Sequence, residues 1–404
     1  MADTPSSSPP TCFRITDDDG GANFLAFQRL ADALLPPARL KALLDRVGGS
    51  PLEALRVPAA DLRGADLGFT ERQAARLAEA AGAPLPPRFQ ERAETLGVCG
   101  ITWRDPAYPA GLVPLDDAPP MLFVRGALRP EDRFAVAIVG SRRATAYGKE
   151  QAEAFAADFA RHGLMVVSGG AAGIDTAAHQ GALGVGGRTV AVLGCGVDIT
   201  YPAENRALFE RVARGGAVVS EFSLGTRPEP WRFPTRNRII AGMARAVVLV
   251  ETPEASGALG TARCAAEYGR DVWVVPGPVN TGRSRGGHQL VQDGASLADR
   301  PEDVLSSLGI VPKAATDRDR AAAAVQLGAA APPPVAASAP APAAPPLPEP
   351  EAKLLAEFDL IPKHLDEAAS RAGLIASQAA VTATLLEMKG LIRRQPGNLF
   401  VRTL

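Results

Sequence analysis

The chain has 404 residues, 46% of them hydrophobic and 22% charged, with a formal net charge of -1 and a pI near 6.5. That is the composition of an ordinary globular protein with room for two or three domains. It excludes binding of a polyanion through overall charge or a basic tail, so any such site must be a local patch.

The first 20 residues, MADTPSSSPPTCFRITDDDG, lack a basic segment followed by an apolar run and are expected to be disordered. No later segment is long and apolar enough to span a bilayer. Cys12, Cys99, Cys195 and Cys264 are far apart with no CxxC pair, which argues against a zinc site or disulfide framework and fits a reducing cytoplasm, the expected location. Between residues 21 and 100, apolar residues recur at three- and four-residue spacing in LAFQRLADALL, ARLKALLDRV and ERQAARLAEAAG. This predicts a small helical domain, with GGSPLEAL and VPAADLRG as turns. LKALLDRVGGSPLEAL reads as a helical hairpin; without a basic cluster it is a packing or partner surface rather than a DNA clamp.

Residues 101–312 read as one α/β domain. After a Pro-rich connector over 101–130, strand-length apolar runs alternate with helical stretches: FAVAIV, LMVVS, RTVAVL, AVVSE, AVVLVE and DVWVVPG. Continuous Val/Ile/Leu runs separated by helices predict a parallel sheet covered on both faces, a Rossmann-like doubly wound architecture. Residues 313–350 are Ala/Pro-rich and read as an extended linker. Residues 351–404 predict three short helices and a hairpin turning at Pro396-Gly397-Asn398, a C-terminal winged-helix domain.

Three glycine-containing loops each follow a strand and open a helix: VGSRRATAYG, SGGAAGIDTAAHQGAL and TPEASGALGTARCAAE. At the carboxyl edge of a parallel sheet such loops direct backbone N–H groups at a bound anion, and Arg142 would add a bidentate partner. None is a dinucleotide fingerprint or a Walker loop, so NAD and ATP are rejected and no cofactor is expected. The stretch Val219–Arg238, VSEFSLGTRPEPWRFPTRNR, sets Trp231 and Phe233 beside Arg232, Arg236 and Arg238. It is either a Pro-anchored loop whose aromatics plug the core, or a surface that stacks bases and holds phosphates, as a single strand requires. Asp175 and His179 share a helix face and favour a structural tie over a catalytic pair. His162, His288 and His364 have no ligand company, so neither a metal site nor a catalytic residue is assigned. Glu221 and Glu251 end two strands, placed to orient loop donors or hold arginines.

These motifs, with LGCGVDITYPAEN and GRDVWVVPGPVN, resemble in order the DNA-processing protein A (DprA, or Smf) family over most of Val136–Leu297. The resemblance implies a non-enzymatic protein that binds single-stranded DNA, dimerises, and loads a RecA-type recombinase during natural transformation. Carried over by motif, the DNA-binding residues are Gly140, Ser141 and Arg142, then Ser168, Gly169, Gly170 and Gly173, then Phe233, Arg236, Asn237 and Arg238. Tyr201 and Trp231 are further platforms for a base. Many relatives carry a lysine where Ile199 and Thr200 stand, a contact either missing here or supplied by Arg232 or Arg206. The alternative is a nucleotide phosphoribohydrolase of the Lonely Guy type, whose PGGxGTxxE loop compares with SGALGTARC. Its catalytic glutamate is replaced by Cys264, and Glu267 comes a helical turn late. A transcription regulator is disfavoured because SQAAVTATLLEMKG is almost free of Arg and Lys, although Arg393 and Arg394 of the wing could touch phosphate.

Overall fold

The computed structural model describes residues 13–17, 21–310, 348–358, 363–395 and 397–402. Most of the predicted linker and most of the first 20 residues lie outside this set. The described part of that start is ordered: Phe13–Arg14 forms a short strand, β1, antiparallel to β2 (Cys99–Thr102), and Phe13 packs on Phe27 at 6.2 Å. The expectation of disorder therefore does not hold at residues 13–17, where Phe13 and Ile15 pack on the apolar face of the helical layer.

Six helices follow: α1 (Ala22–Asp32), α2 (Pro37–Arg46), α3 (Pro51–Arg56), α4 (Ala59–Leu62), α5 (Glu71–Gly82) and α6 (Phe89–Leu96). Local chemistry sets their starts. Ser50 accepts the Glu53 amide at 3.3 Å, and Thr70 and Gln73 form a reciprocal capping box. Their apolar faces share one core with the sheet, in which Phe24, Phe27, Leu30, Leu43 and Leu44 meet Phe123, Leu193, Phe209 and Val218. Phe27 meets Phe123 edge-on at 4.9 Å, a favoured aromatic geometry. Gln28 doubles the link by bonding both the carbonyl (3.1 Å) and the amide (3.0 Å) of Leu224.

The stretch read as a connector is itself part of the sheet. Beside β2 runs β3 (Met121–Gly126), antiparallel to it and to β7 (Ala217–Ser220). The prolines flanking MLFVRG hid a six-residue buried strand. The six predicted strands all form: β4 (Ala135–Gly140), β5 (Met165–Ser168), β6 (Thr189–Val192), β7 (Ala217–Ser220), β8 (Ala246–Val250) and β9 (Asp271–Val274), with a short β10 (Ser296–Leu297) at the edge. The order is β1-β2-β3-β7-β6-β5-β4-β8-β9-β10, and every pair from β7 to β10 is parallel. Helices α7 (Ala146–Arg161), α8 (Ile174–Gly184), α9 (Arg206–Gly215), α10 (Arg232–Met243), α11 (Ala258–Glu267), α12 (Arg285–Gln292) and α13 (Pro301–Ser307) complete this unit. The chain winds outward from β4 to β7, crosses back through α10, and resumes at β8. Strand order thus reverses between β4 and β8, and the carboxyl ends of those two strands form the crevice where ligands of such sheets bind.

The second compact unit holds α14 (Glu349–Ala356), β11 (Lys363–His364), α15 (Leu365–Ala372), α16 (Ala376–Met388), β12 (Ile392–Gln395) and β13 (Leu399–Arg402). Its sheet order is β11-β13-β12. Leu354, Phe358, Leu386, Ile392 and Phe400 fill its own core, giving the predicted helices and wing. Gly397 and Asn398 both take positive φ at the wing tip; Pro396 lies outside the described residues.

Because the helical layer and the sheet share a core, Phe123→Ala should cost about 3–5 kcal/mol and lower the unfolding midpoint of both together. Calorimetry and near-UV circular dichroism check this; a helical layer melting as a separate transition would contradict it.

Candidate nucleic-acid interface

At the β4/β8 crevice lies a cleft of about 560 Å³ whose lining includes Gly140 at the end of β4, Ser141, Arg142 and Arg143 after it, and Pro253, Ser256 and Gly257 after β8. Phe233, Pro234, Arg236, Asn237 and Ile240 of α10 form one wall, and Arg283 enters from the loop after β9. Three devices fix the first loop. Glu251, held at φ 44 at the end of β8, accepts from the Thr145 amide at 2.8 Å and from its hydroxyl. Tyr147 donates to the Pro276 carbonyl at 2.7 Å, and Arg283 donates to the Arg143 carbonyl at 3.0 Å. An unfavourable φ persists where surrounding bonds over-determine it, as they do at Glu251.

Arg236 is the centre of the site. Only 4% of it is exposed, yet Nε and Nη1 find no hydrogen-bond partner. Burial depresses its guanidinium to about 10; nearby Asp175 opposes that shift and Arg142 adds to it. A pKa of about 10 leaves Arg236 charged near neutrality. Asp175 does not discharge it: its Oδ2 accepts the Gly169 and Ala171 amides at 3.1 and 3.3 Å, and burial raises its own pKa. A buried cation with unmade hydrogen bonds is costly, and an anion held in the cleft that Arg236 lines would offset its charge. Arg142, Arg143 and Arg283 are exposed around it, so the lining carries four guanidiniums against one engaged carboxylate.

The other predicted residues divide. Arg142 lies over Phe233 at 5.2 Å, and Tyr201, 42% exposed, meets the same ring at 5.4 Å. Asn237 donates to the Gly257 carbonyl at 3.1 Å, tying α10 to the start of α11. Gly169 is required by close approach, since a Cβ there would fall on the Arg236 guanidinium. Gly173, at φ 84, packs against the Ser141 and Arg142 carbonyls. Four residues do not face the cleft as anion or base contacts. The Ser168 hydroxyl is spent on the Ile138 carbonyl at 2.6 Å, and Gly170 packs against Phe209. Arg238 is paired with Glu221 at 2.5 Å, both largely buried. Arg232 bonds the Arg227 carbonyl at 2.7 Å and stacks on Trp231 and Phe222. The expectation of three amide-offering loops is therefore corrected: in the 168–173 loop, Asp175 consumes two of the amides. The arginines of the RNR motif sit in the second turn of α10 rather than in a loop, so Arg236 and Arg238 point to opposite environments.

Asp175 and His179 are not paired with each other. His179 is fully buried, bonds Thr189 Oγ1 at 2.7 Å, and is depressed to about 3 by burial. Cys264 and Glu267, the residues on which the hydrolase alternative turns, do not line the cleft. Sequence reasoning missed Arg143 and Arg283. The basic, glycine-rich VNTGRSRGG that follows β9 at the same edge was the available signal for Arg283.

Among the described residues no helix is long and apolar enough to cross a membrane, and no cluster of His, Cys, Asp and Glu is placed to hold a metal. A family model described as DNA recombination-mediator protein A matches residues 100–309, and one described as DprA winged helix domain matches 338–398. The chain is 44% identical over 216 residues to a putative DNA processing protein DprA of Mycobacterium tuberculosis, covering 53% of this chain and 56% of that protein. It is 43% identical over 202 residues to the DNA processing protein DprA of Streptococcus pneumoniae, covering 50% and 71%. The solved X-ray structure of the pneumococcal protein superposes with a TM-score of 0.60 at 33% identity, covering 70% of this chain and 97% of that one. The matched region spans a little over half of the mycobacterial relative and of Protein Smf from Synechocystis, 56% and 58%. With more than half of its length matched by the family model, the chain belongs to the DNA recombination-mediator protein A family.

Proposed function

We propose that the chain binds single-stranded DNA in the β4/β8 cleft, shields it, and delivers it to a RecA-type recombinase during DNA uptake, acting as a cytoplasmic homodimer without catalysis. The observation that carries this reading is Arg236, a buried guanidinium with two unpartnered nitrogens at the floor of a cleft ringed by Arg142, Arg143 and Arg283. Phosphate matches that requirement in charge and bidentate geometry. Unpaired bases are favoured over a duplex because an exposed aromatic, Tyr201 at 42%, lies against Phe233 of the cleft wall, and a stacked duplex offers it no free base face.

Absence of catalysis is supported by the lining itself. It holds no His or Cys, and its single carboxylate, Asp175, is committed to two backbone amides. Recombinase delivery is supported by family membership. A dimer would engage one strand at two clefts, and linked sites gain on the order of 10²–10⁴ in avidity without a new contact.

Fluorescence anisotropy with labelled oligo-dT tests the site. Arg142→Ala and Arg236→Met should each weaken binding and make the slope of log K against log salt shallower by about 0.7 for each phosphate the variant no longer holds. Tyr201→Ala should cost about 1–3 kcal/mol. Unchanged isotherms for all three at low salt would sink the assignment. Arg238→Met should behave differently. Removing one partner of a largely buried pair costs about 3–5 kcal/mol of stability, so its melting temperature should fall while oligo-dT affinity is retained. A drop in affinity at Arg238 equal to that at Arg236 would contradict this division of roles. Incubation with nucleoside monophosphates should release no free base; turnover abolished by Glu267→Ala would favour the hydrolase.

A further inference from the structure

The two strands that carry the cleft at their carboxyl ends carry a second basic and aromatic patch at their amino ends. Phe134, immediately before β4, is 39% exposed. The Arg133 guanidinium lies over its ring at 4.8 Å, and that of Arg245, immediately before β8, at 5.5 Å. Arg129 is exposed nearby, and with Arg133 it lines a hollow of about 180 Å³. Among the described residues no carboxylate lies within ion-pair distance of Arg129, Arg133 or Arg245. Of the two acids between Arg129 and Arg133, Asp132 is already held by Arg188 at 2.6 and 2.7 Å and by the Arg129 amide at 2.8 Å, and the exposed Glu131 makes no ion pair with the three arginines.

An arginine just past the end of a helix such as α10 is ordinarily explained by the helix dipole. Arg245 departs from that pattern, because its guanidinium bonds none of the last-turn carbonyls among the described residues and lies against Phe134 instead. An aromatic ring under two guanidiniums holds them side by side and does not use their N–H donors, which remain for the oxygens of a phosphate. Two such guanidiniums without internal acids make a polyanion contact, and their outer faces are surfaces on which unpaired bases stack.

We infer that this Arg133–Phe134–Arg245 patch is a second contact for single-stranded polynucleotide, engaged by a segment that has passed beyond the cleft. The inference rests on the cleft being a DNA site. Strands β4 and β8 have six and five residues, which at about 3.3 Å per residue separates the two ends by roughly 17–20 Å. Helices cover the faces between them, so a strand must run around the domain to reach both. The patch therefore acts only on strands longer than those that fill the cleft.

The test compares Arg133→Ala/Arg245→Ala with wild type on oligo-dT of about 6 and about 40 nucleotides, bracketing the usual single-strand site sizes, across a salt series. Both arginines are exposed, so the fold should survive; Phe134→Ala, which keeps both charges but frees them, gives a second reading. The expected result is unchanged affinity for the short oligonucleotide, weaker binding of the long one with a log K slope shallower by about 1.4 for two phosphates no longer engaged, and an intermediate weakening for Phe134→Ala. Wild-type behaviour on the long strand would overturn the inference, including the case where the variant instead loses affinity for poly-glutamate, which would mark an acidic protein surface as the partner. Equal weakening on both lengths would also overturn it, by showing an effect transmitted through the cleft or fold. Failure of the cleft reading is distinguishable: Arg142→Ala would then be silent on both lengths while the double variant still weakened the long strand. If wild type bound neither length, both readings would fall.

Discussion

A charged group held away from water without the hydrogen bonds it needs is the constraint around which the central domain is built. Arg236 satisfies that description, and several otherwise separate features exist to keep it there. Gly169 has no side chain because the guanidinium occupies that space. Asp175 spends one carboxylate oxygen on loop amides and so compensates the charge only at a distance. Glu251 adopts an unfavourable backbone conformation to anchor the Arg142 loop. A buried cation with unmade hydrogen bonds costs stability in the free protein, and holding it in place beforehand is how a pre-organised site limits the cost of binding.

The scaffold explains why the site can tolerate this. Buried apolar strands on either side of the β4/β8 reversal, and a helical layer fused to the face of the sheet through Phe123, provide one continuous packed body. Strain at one rim is spread over a core large enough to bear it. The same reversal that opens the cleft at one end of β4 and β8 brings Phe134 and Arg245 together at the other, so one topological event sets both basic surfaces.

Much of this was legible in the sequence because it depends on period and composition. The six parallel strands announce themselves as unbroken Val/Ile/Leu runs, and the winged helix as short helices followed by a Gly-Asn turn. What was not legible depends on which face a residue meets after folding. Arg236 and Arg238 are two apart on one helix, and nothing local says that one faces the cleft while the other pairs with Glu221. Ser168 and Gly170 belong to the same motif as Gly169, yet they serve the strand and the core. Strand β3 was hidden because prolines dominate its surroundings, and Arg283 because its loop joins the site from the far side of β9.

The most direct measurement is a crystal structure with a short oligo-dT bound. A phosphate oxygen should then lie within hydrogen-bond distance of Arg236 Nε or Nη1, with Arg142 beside it and the Arg238–Glu221 pair intact. A strand bound elsewhere, with the Arg236 nitrogens still unpartnered, would contradict the assignment of the cleft.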